Sequence, residues 1–159
     1  MNPEPAFAIT SQREAGRVIL YLRGIIDENA NLTPLATAQG TEIWLDLSGV
    51  QRINSFGVRA WLAAVRCIPP DERLVFTRCS TPVIDQCNMV SGFQGHAVIE
   101  SFYAPMICEH CDEQIQILFN TAACATHGAL WPEVPCPRCH ETLTIDDLEE
   151  QYLVFLRGA

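Results

Sequence analysis

A chain of 159 residues, 48% hydrophobic and 18% charged, has the material for one medium domain or a small domain with an added minidomain, and it is not a disordered chain. Its formal net charge is −9, placed unevenly: ten acids face eight arginines in residues 1–104, and nine acids face two arginines in 105–159. The acidic second part speaks against nucleic-acid binding there, because non-specific affinity comes from Lys and Arg neutralising phosphates.

The opening residues Met1, Asn2, Pro3 and Glu4 carry neither a basic nor an apolar signal region, and no apolar run approaches roughly 18 residues. A cytoplasmic protein that does not enter the membrane is expected. In that compartment eight cysteines read as thiols and metal ligands, not as disulfides.

In chain order, residues 7–10 predict a short strand and 17–23 a firmer one, rich in β-formers. A helix over about 32–39 closes at Gly40. Residues 42–47 are nearly all apolar, which predicts a buried and parallel strand, with Ser48-Gly49 as a turn after it. Asn54 or Ser55 can cap the next helix, which runs to about Cys67 before Pro69-Pro70 ends it. A strand at 74–77, a short helix at 82–89 and a strand at 97–103 follow. The order β-β-α-β-α-β-α-β predicts a mixed α/β sheet covered by helices.

Three segments carry a family resemblance: Gly24-Ile-Ile-Asp27, Leu45-Asp-Leu-Ser-Gly-Val50 and Ile53-Asn-Ser-Phe-Gly-Val58. Pro82-Val83 and the helix leading to Ser91-Gly92 extend it. Together they resemble the STAS domain, the fold of bacterial anti-sigma factor antagonists, over about residues 1–104. The resemblance implies a non-catalytic protein that docks onto an anti-sigma factor of the serine-kinase type. It implies a docking surface at Asn54, Ser55 and Phe56, with Asp27 and Asn29 as neighbours. Such proteins are switched off by phosphorylation of a serine in an Asp-Ser-Ser-Gly loop, where a phosphate adds about two negative charges to the surface. Here Phe56 stands at the acceptor position and Asn54 at that of the aspartate. Phenylalanine has no hydroxyl, so the usual switch is expected to be lost, with Ser55 as the remaining candidate for phosphorylation. The plain reading of Asn54 and Ser55 is a helix cap, and that of Phe56 a core or surface aromatic.

Cys108-Glu-His-Cys111 and Cys136-Pro-Arg-Cys139 are two Cys-x-x-Cys pairs with 24 residues between them. Each pair can form a tight turn offering two thiolates, and two such turns complete the tetrahedral sulfur site that zinc favours and iron also accepts. One structural zinc at Cys108, Cys111, Cys136 and Cys139 is expected, in an arrangement that resembles a zinc ribbon over 105–143, with a strand at 115–119. Disulfides or a redox-active Cys-x-x-Cys are the competing readings. Cys124 and His127 could supply a second metal pair, whereas Cys67, Cys79 and Cys87 read as small buried apolar residues.

A last helix is predicted from Thr144 to about Leu156, within a segment 144–159, with Leu148, Tyr152 and Phe155 on one face and Arg157-Gly158 at its end. That face either packs on the rest of the chain or supports self-association. No phosphate-binding loop, dinucleotide fingerprint or nucleophile elbow is present, and no enzyme is expected. The expected function is protein docking by a regulator. A nucleic-acid-associated zinc-ribbon factor is the alternative, and a small-ligand sensor a weaker third.

Overall fold

The computed structural model describes residues 3, 6–126, 131–147 and 149–157. Strands β1 (Ala8–Glu14) and β2 (Arg17–Ile26) form an antiparallel hairpin. Its turn residues Ala15 and Gly16 have φ of 46° and 84°, the doubly positive turn whose twist matches that of the strands. After the short helix α1 (Thr33–Ala36), β3 (Glu42–Ile53) lies parallel to β2. Helix α2 (Ser55–Arg66), β4 (Arg73–Thr77), α3 (Thr81–Met89) and β5 (Val98–Ile99) complete a mixed five-stranded sheet of order β1-β2-β3-β4-β5. This is the mixed α/β fold, in the element order, that the sequence predicts.

Several strand boundaries differ from the expected ones: β1 runs on to Glu14, and β2 passes through Gly24 to Ile26. Ser48-Gly49 is not a turn, since β3 runs through it to Ile53. Gly49 is there for close approach: a Cβ at this position would sit 2.7 Å from the Arg23 Cβ and 2.9 Å from the Leu22 carbonyl oxygen. The strand expected at 97–103 is two strands, β5 and then β6 (Ser101–Ile107), which belong to different sheets. Glu100 is the pivot between them. Its N–H donates to the Phe76 carbonyl, its own carbonyl accepts from Thr121 N–H, and its carboxylate accepts from Thr77 Oγ1.

The second sheet has order β7-β6-β8, with β7 at Gln114–Asn120 and β8 at Thr144–Ile145. A short helix α4 (Thr121–Thr126) follows β7. The helix expected from Thr144 starts later and is broken: Thr144 and Ile145 pair with Ile107 and Met106, and only α5 (Glu149–Tyr152) and α6 (Val154–Arg157) are helical. Leu148 and Gly158 lie outside the described residues.

Of the two readings of the apolar face on this segment, packing on the rest of the chain accounts for most of it. Tyr152, Leu153 and Phe155 are buried, and Phe102 of β6 sits among Phe119, Trp131, Tyr152 and Phe155 at centroid distances of 4.9–6.3 Å. Asn88 of α3 fastens the segment: its Nδ2 donates to the Tyr152 carbonyl at 2.9 Å, and its Oδ1 accepts from Phe155 N–H at 2.8 Å. Tyr152 Oη–H donates to the Tyr103 carbonyl. Phe102, Phe119, Tyr152 and Phe155 belong to one core with Leu45, Trp61 and Phe76 of the first sheet and its helices. No helix among the described residues is long and apolar enough to cross a membrane.

Candidate functional site

The strands β6 and β7 bring Cys108 and Cys111 to one end of the second sheet, and the bridge between Pro135 and Thr142 frames the turn that carries Cys136 and Cys139. The two turns have the same construction. In the first, Asp112 N–H donates to the Cys108 carbonyl at 2.8 Å and Cys108 N–H to the Glu113 carbonyl at 2.9 Å. In the second, His140 N–H donates to the Cys136 carbonyl at 2.9 Å and Cys136 N–H to the Glu141 carbonyl at 2.7 Å. Each turn closes on a left-handed residue, Asp112 at φ 57° and His140 at φ 68°. The sequence shows only the repeated cysteine spacing; the chain around both pairs folds alike although Asp112 and His140 share no chemistry.

All four sulfurs lie within 4.8 Å of one another, with Cys108 and Cys136 buried. Across the turns, Cys108 Sγ is 3.4 Å from Cys139 Sγ, and Cys111 Sγ is 3.6 Å from Cys136 Sγ. A disulfide needs about 2.05 Å, so these are thiol neighbours. A tetrahedron with zinc–sulfur bonds of about 2.3 Å has sulfur–sulfur edges of about 3.8 Å, close to the spacing found. The four cysteines could therefore hold a metal ion.

The electrostatics agree. Burial opposes ionisation of Cys136, but the backbone N–H groups of Cys139 and Arg138 and the neighbouring thiols outweigh it and bring the thiol down to about 7. The Glu141 backbone favours the Cys139 thiolate, yet burial and the other three thiols together push it up to about 12. Four thiolates cannot share so small a volume unless a cation balances them.

The other cysteines and histidines divide. Cys79 is buried and Cys87 partly buried, as expected. Cys67 is exposed instead: it ends α2, with its Sγ against the Ala63 carbonyl at 3.3 Å. Cys124 is buried, and His127, with which it could supply a second metal pair, lies outside the described residues. His110 and His140 are exposed on the cysteine turns. His96 meets the Glu72 carbonyl through Nε2 at 3.0 Å, a structural contact.

In the first sheet, parallel pairing of Ile26 with Ile53 places the loop after β2 beside the start of α2. Asn54 caps that helix: its Oδ1 accepts from Gly57 N–H at 2.8 Å, and its Nδ2 donates to Glu28 Oε2 at 3.0 Å. Asn54 N–H also donates to the Ile26 carbonyl at 3.1 Å. Asp27 Oδ1 accepts from Asn29 N–H at 2.8 Å, which shapes the loop. Asn54, Ser55 and Phe56 thus share one edge with the Asp27–Asn29 loop. Ser55 is exposed, and Phe56 is 60% exposed, a large apolar side chain held out into water. Replacing Asn54 with alanine leaves the Gly57 N–H without its cap and is expected to lower stability by about 1 kcal/mol, read from the urea midpoint.

Sequence reading missed one polar cluster. Buried Asp46 accepts from Arg78 Nε at 2.9 Å and from Ser48 Oγ–H at 2.6 Å, and Ser48 Oγ accepts from Arg78 Nη2 at 2.8 Å. The near-continuous apolar run around Asp46 marks that acid as one that needs a partner, but nothing local points to Arg78, 32 residues away.

No protein-family model matches the chain, and no curated protein matches it in sequence. Among solved structures, it is similar to an anti-sigma factor antagonist from Mycobacterium paratuberculosis, with 15% identity, a TM-score of 0.46, and 59% of this chain and 85% of that chain covered.

Proposed function

We propose that this chain is a non-catalytic, cytoplasmic regulatory module that docks a signalling protein through the edge formed by Asn54, Ser55 and Phe56 with Asp27 and Asn29. The observation that carries this reading is Phe56, 60% exposed at the second position of a capped helix. An aromatic in that place costs exposure in the free protein and supplies a buried anchor in a complex. By the sequence resemblance, the partner is an anti-sigma regulator of the serine-kinase type.

In this reading, residues 1–104 carry the docking surface, 105–143 a zinc ribbon, and 144–159 the segment that closes over α3. Cys108, Cys111, Cys136 and Cys139 hold one zinc. A closed four-sulfur site leaves no open coordination position, so the ion supplies a cross-link and no chemistry.

The test is capture of partners from the source lysate with the wild-type chain and with Phe56→Asp. A serine-kinase-type regulator recovered by the wild type and lost with the folded variant is the expected result. Equal recovery by both variants, or recovery of polymerase or nucleic acid in its place, would sink the assignment of this surface. Incubation with the captured kinase should leave the chain without stoichiometric phosphate. Full occupancy of Ser55 in phosphate mapping would show that the switch has moved by one residue.

A further inference from the structure

We propose that the groove beyond the C-terminal end of β4, beside the continuing β3, binds a small phosphate ester. This goes beyond the docking reading and concerns a different place on the molecule. β4 stops pairing with β3 at Asp46–Thr77, while β3 continues to Ile53. Two adjoining recesses, of about 440 and 330 Å³, open beside that overhang and share Ser48 and Gln51 in their walls. Their size suits a small molecule.

The anion end is set by Arg78 and Arg23, which line the same recess. Arg78 has a φ of 48°, a left-handed conformation that costs a residue with a side chain about 1–2 kcal/mol. Its N–H donates to Ser101 Oγ at 2.8 Å, and its guanidinium is fixed by Asp46 and Ser48. The Asp46 carboxylate balances one arginine. Arg23 then adds a second positive charge that has no ion-pair partner among the described residues, in a chain of net charge −9.

A second observation is independent of the arginines. Ser80, which lines the adjoining recess, is only 8% exposed and its Oγ has no hydrogen-bond partner among the described residues. It stands at the N-cap of α3 yet does not cap it. A buried hydroxyl without a partner is costly; the Ser80 oxygen is itself shielded from solvent, so it reaches an oxyanion in the recess by a turn about χ1 that the missing partner favours. Thr81 Oγ1 donates to Gln116 Oε1 at 2.8 Å, which turns the Gln116 amide NH₂ to the remaining side. Val50, Pro82 and Tyr103 supply an apolar strip for the body of the ester.

The probe is phenyl phosphate, titrated into the ¹⁵N-labelled full chain at constant ionic strength, with benzoate in parallel. Arg78 is left intact, because its removal strands buried Asp46. Saturable shifts are expected at the amides of Ser48, Arg78, Ser80 and Thr81. Arg23→Gln and Ser80→Ala should each weaken binding, the arginine change by about tenfold. Phe56→Asp should leave it unchanged, which separates this site from the docking surface. Absence of saturable shifts, or equal affinity in wild type and both variants, would overturn the site. Tighter binding of benzoate would overturn the phosphate assignment in favour of a carboxylate.

Discussion

Replacing Cys136 with serine is expected to reduce bound zinc from one ion per chain to none and to melt the cysteine end of the second sheet. Cys136 is buried, its thiol is brought down to about 7 by its surroundings, and it contacts Cys111 across the two turns. Structural zinc in small modules contributes on the order of 10 kcal/mol of apparent binding energy, most of it folding energy where no core exists. Here a core does exist at one end. Phe102, Phe119, Tyr152 and Phe155 hold the base of β6 and β7 without the metal. Hydrogen exchange should therefore show protection lost around 107–115 and 135–145 and kept in β2, β3 and β4. Chelation of the wild type should give the same map. Full protection across both cysteine turns after zinc removal would contradict the assignment of the metal as structural.

The second large effect is expected at Gly57. Alanine is the better helix former by about 1 kcal/mol, so propensity alone predicts a gain. A Cβ at Gly57 would lie 1.9 Å from the Ile26 carbonyl oxygen and 2.6 Å from its carbon, both backbone atoms that cannot swing away. Either α2 lifts off β2 or β2 bends, and the Asn54 N–H bond to the same carbonyl is stretched in the process. Gly57→Ala should lower stability by about 3 kcal/mol, seen as a fall in the urea midpoint at unchanged slope. The variant should also weaken partner capture, because the helix start that presents Phe56 moves. An unchanged midpoint would mean that the helix is seated less tightly than the distance implies.

The alternation of β-rich and helical segments was enough to read the element order of the first sheet, because β2, β3 and β4 are largely buried and their patterns are strong, whereas exposed β1 was read only in part. Ser48-Gly49 misleads because glycine serves close packing as well as turns, and only the neighbouring strand decides which. Glu100 is equally silent: the polar pair Glu100-Ser101 inside 97–103 does not tell a sheet change from an exposed strand position. That the four cysteines come together was legible from spacing alone, since two short turns must present sulfurs in pairs. The groove residues Arg23, Arg78 and Ser80 were not, because a long-range ion pair and an unpartnered hydroxyl have no local pattern.

The double hold that Asn88 places on Tyr152 and Phe155 spans 64 and 67 residues of sequence. During synthesis α3 leaves the ribosome well before its partners do. Until residues 152–155 emerge, the amide of Asn88 and the ring of Phe102 lack the groups that later cover them. Native contacts of such long span form slowly, because the intervening chain must be ordered first. The nascent first sheet is thus exposed along its α3 flank for the time needed to make the whole second sheet, a window in which a chaperone has an apolar face to hold.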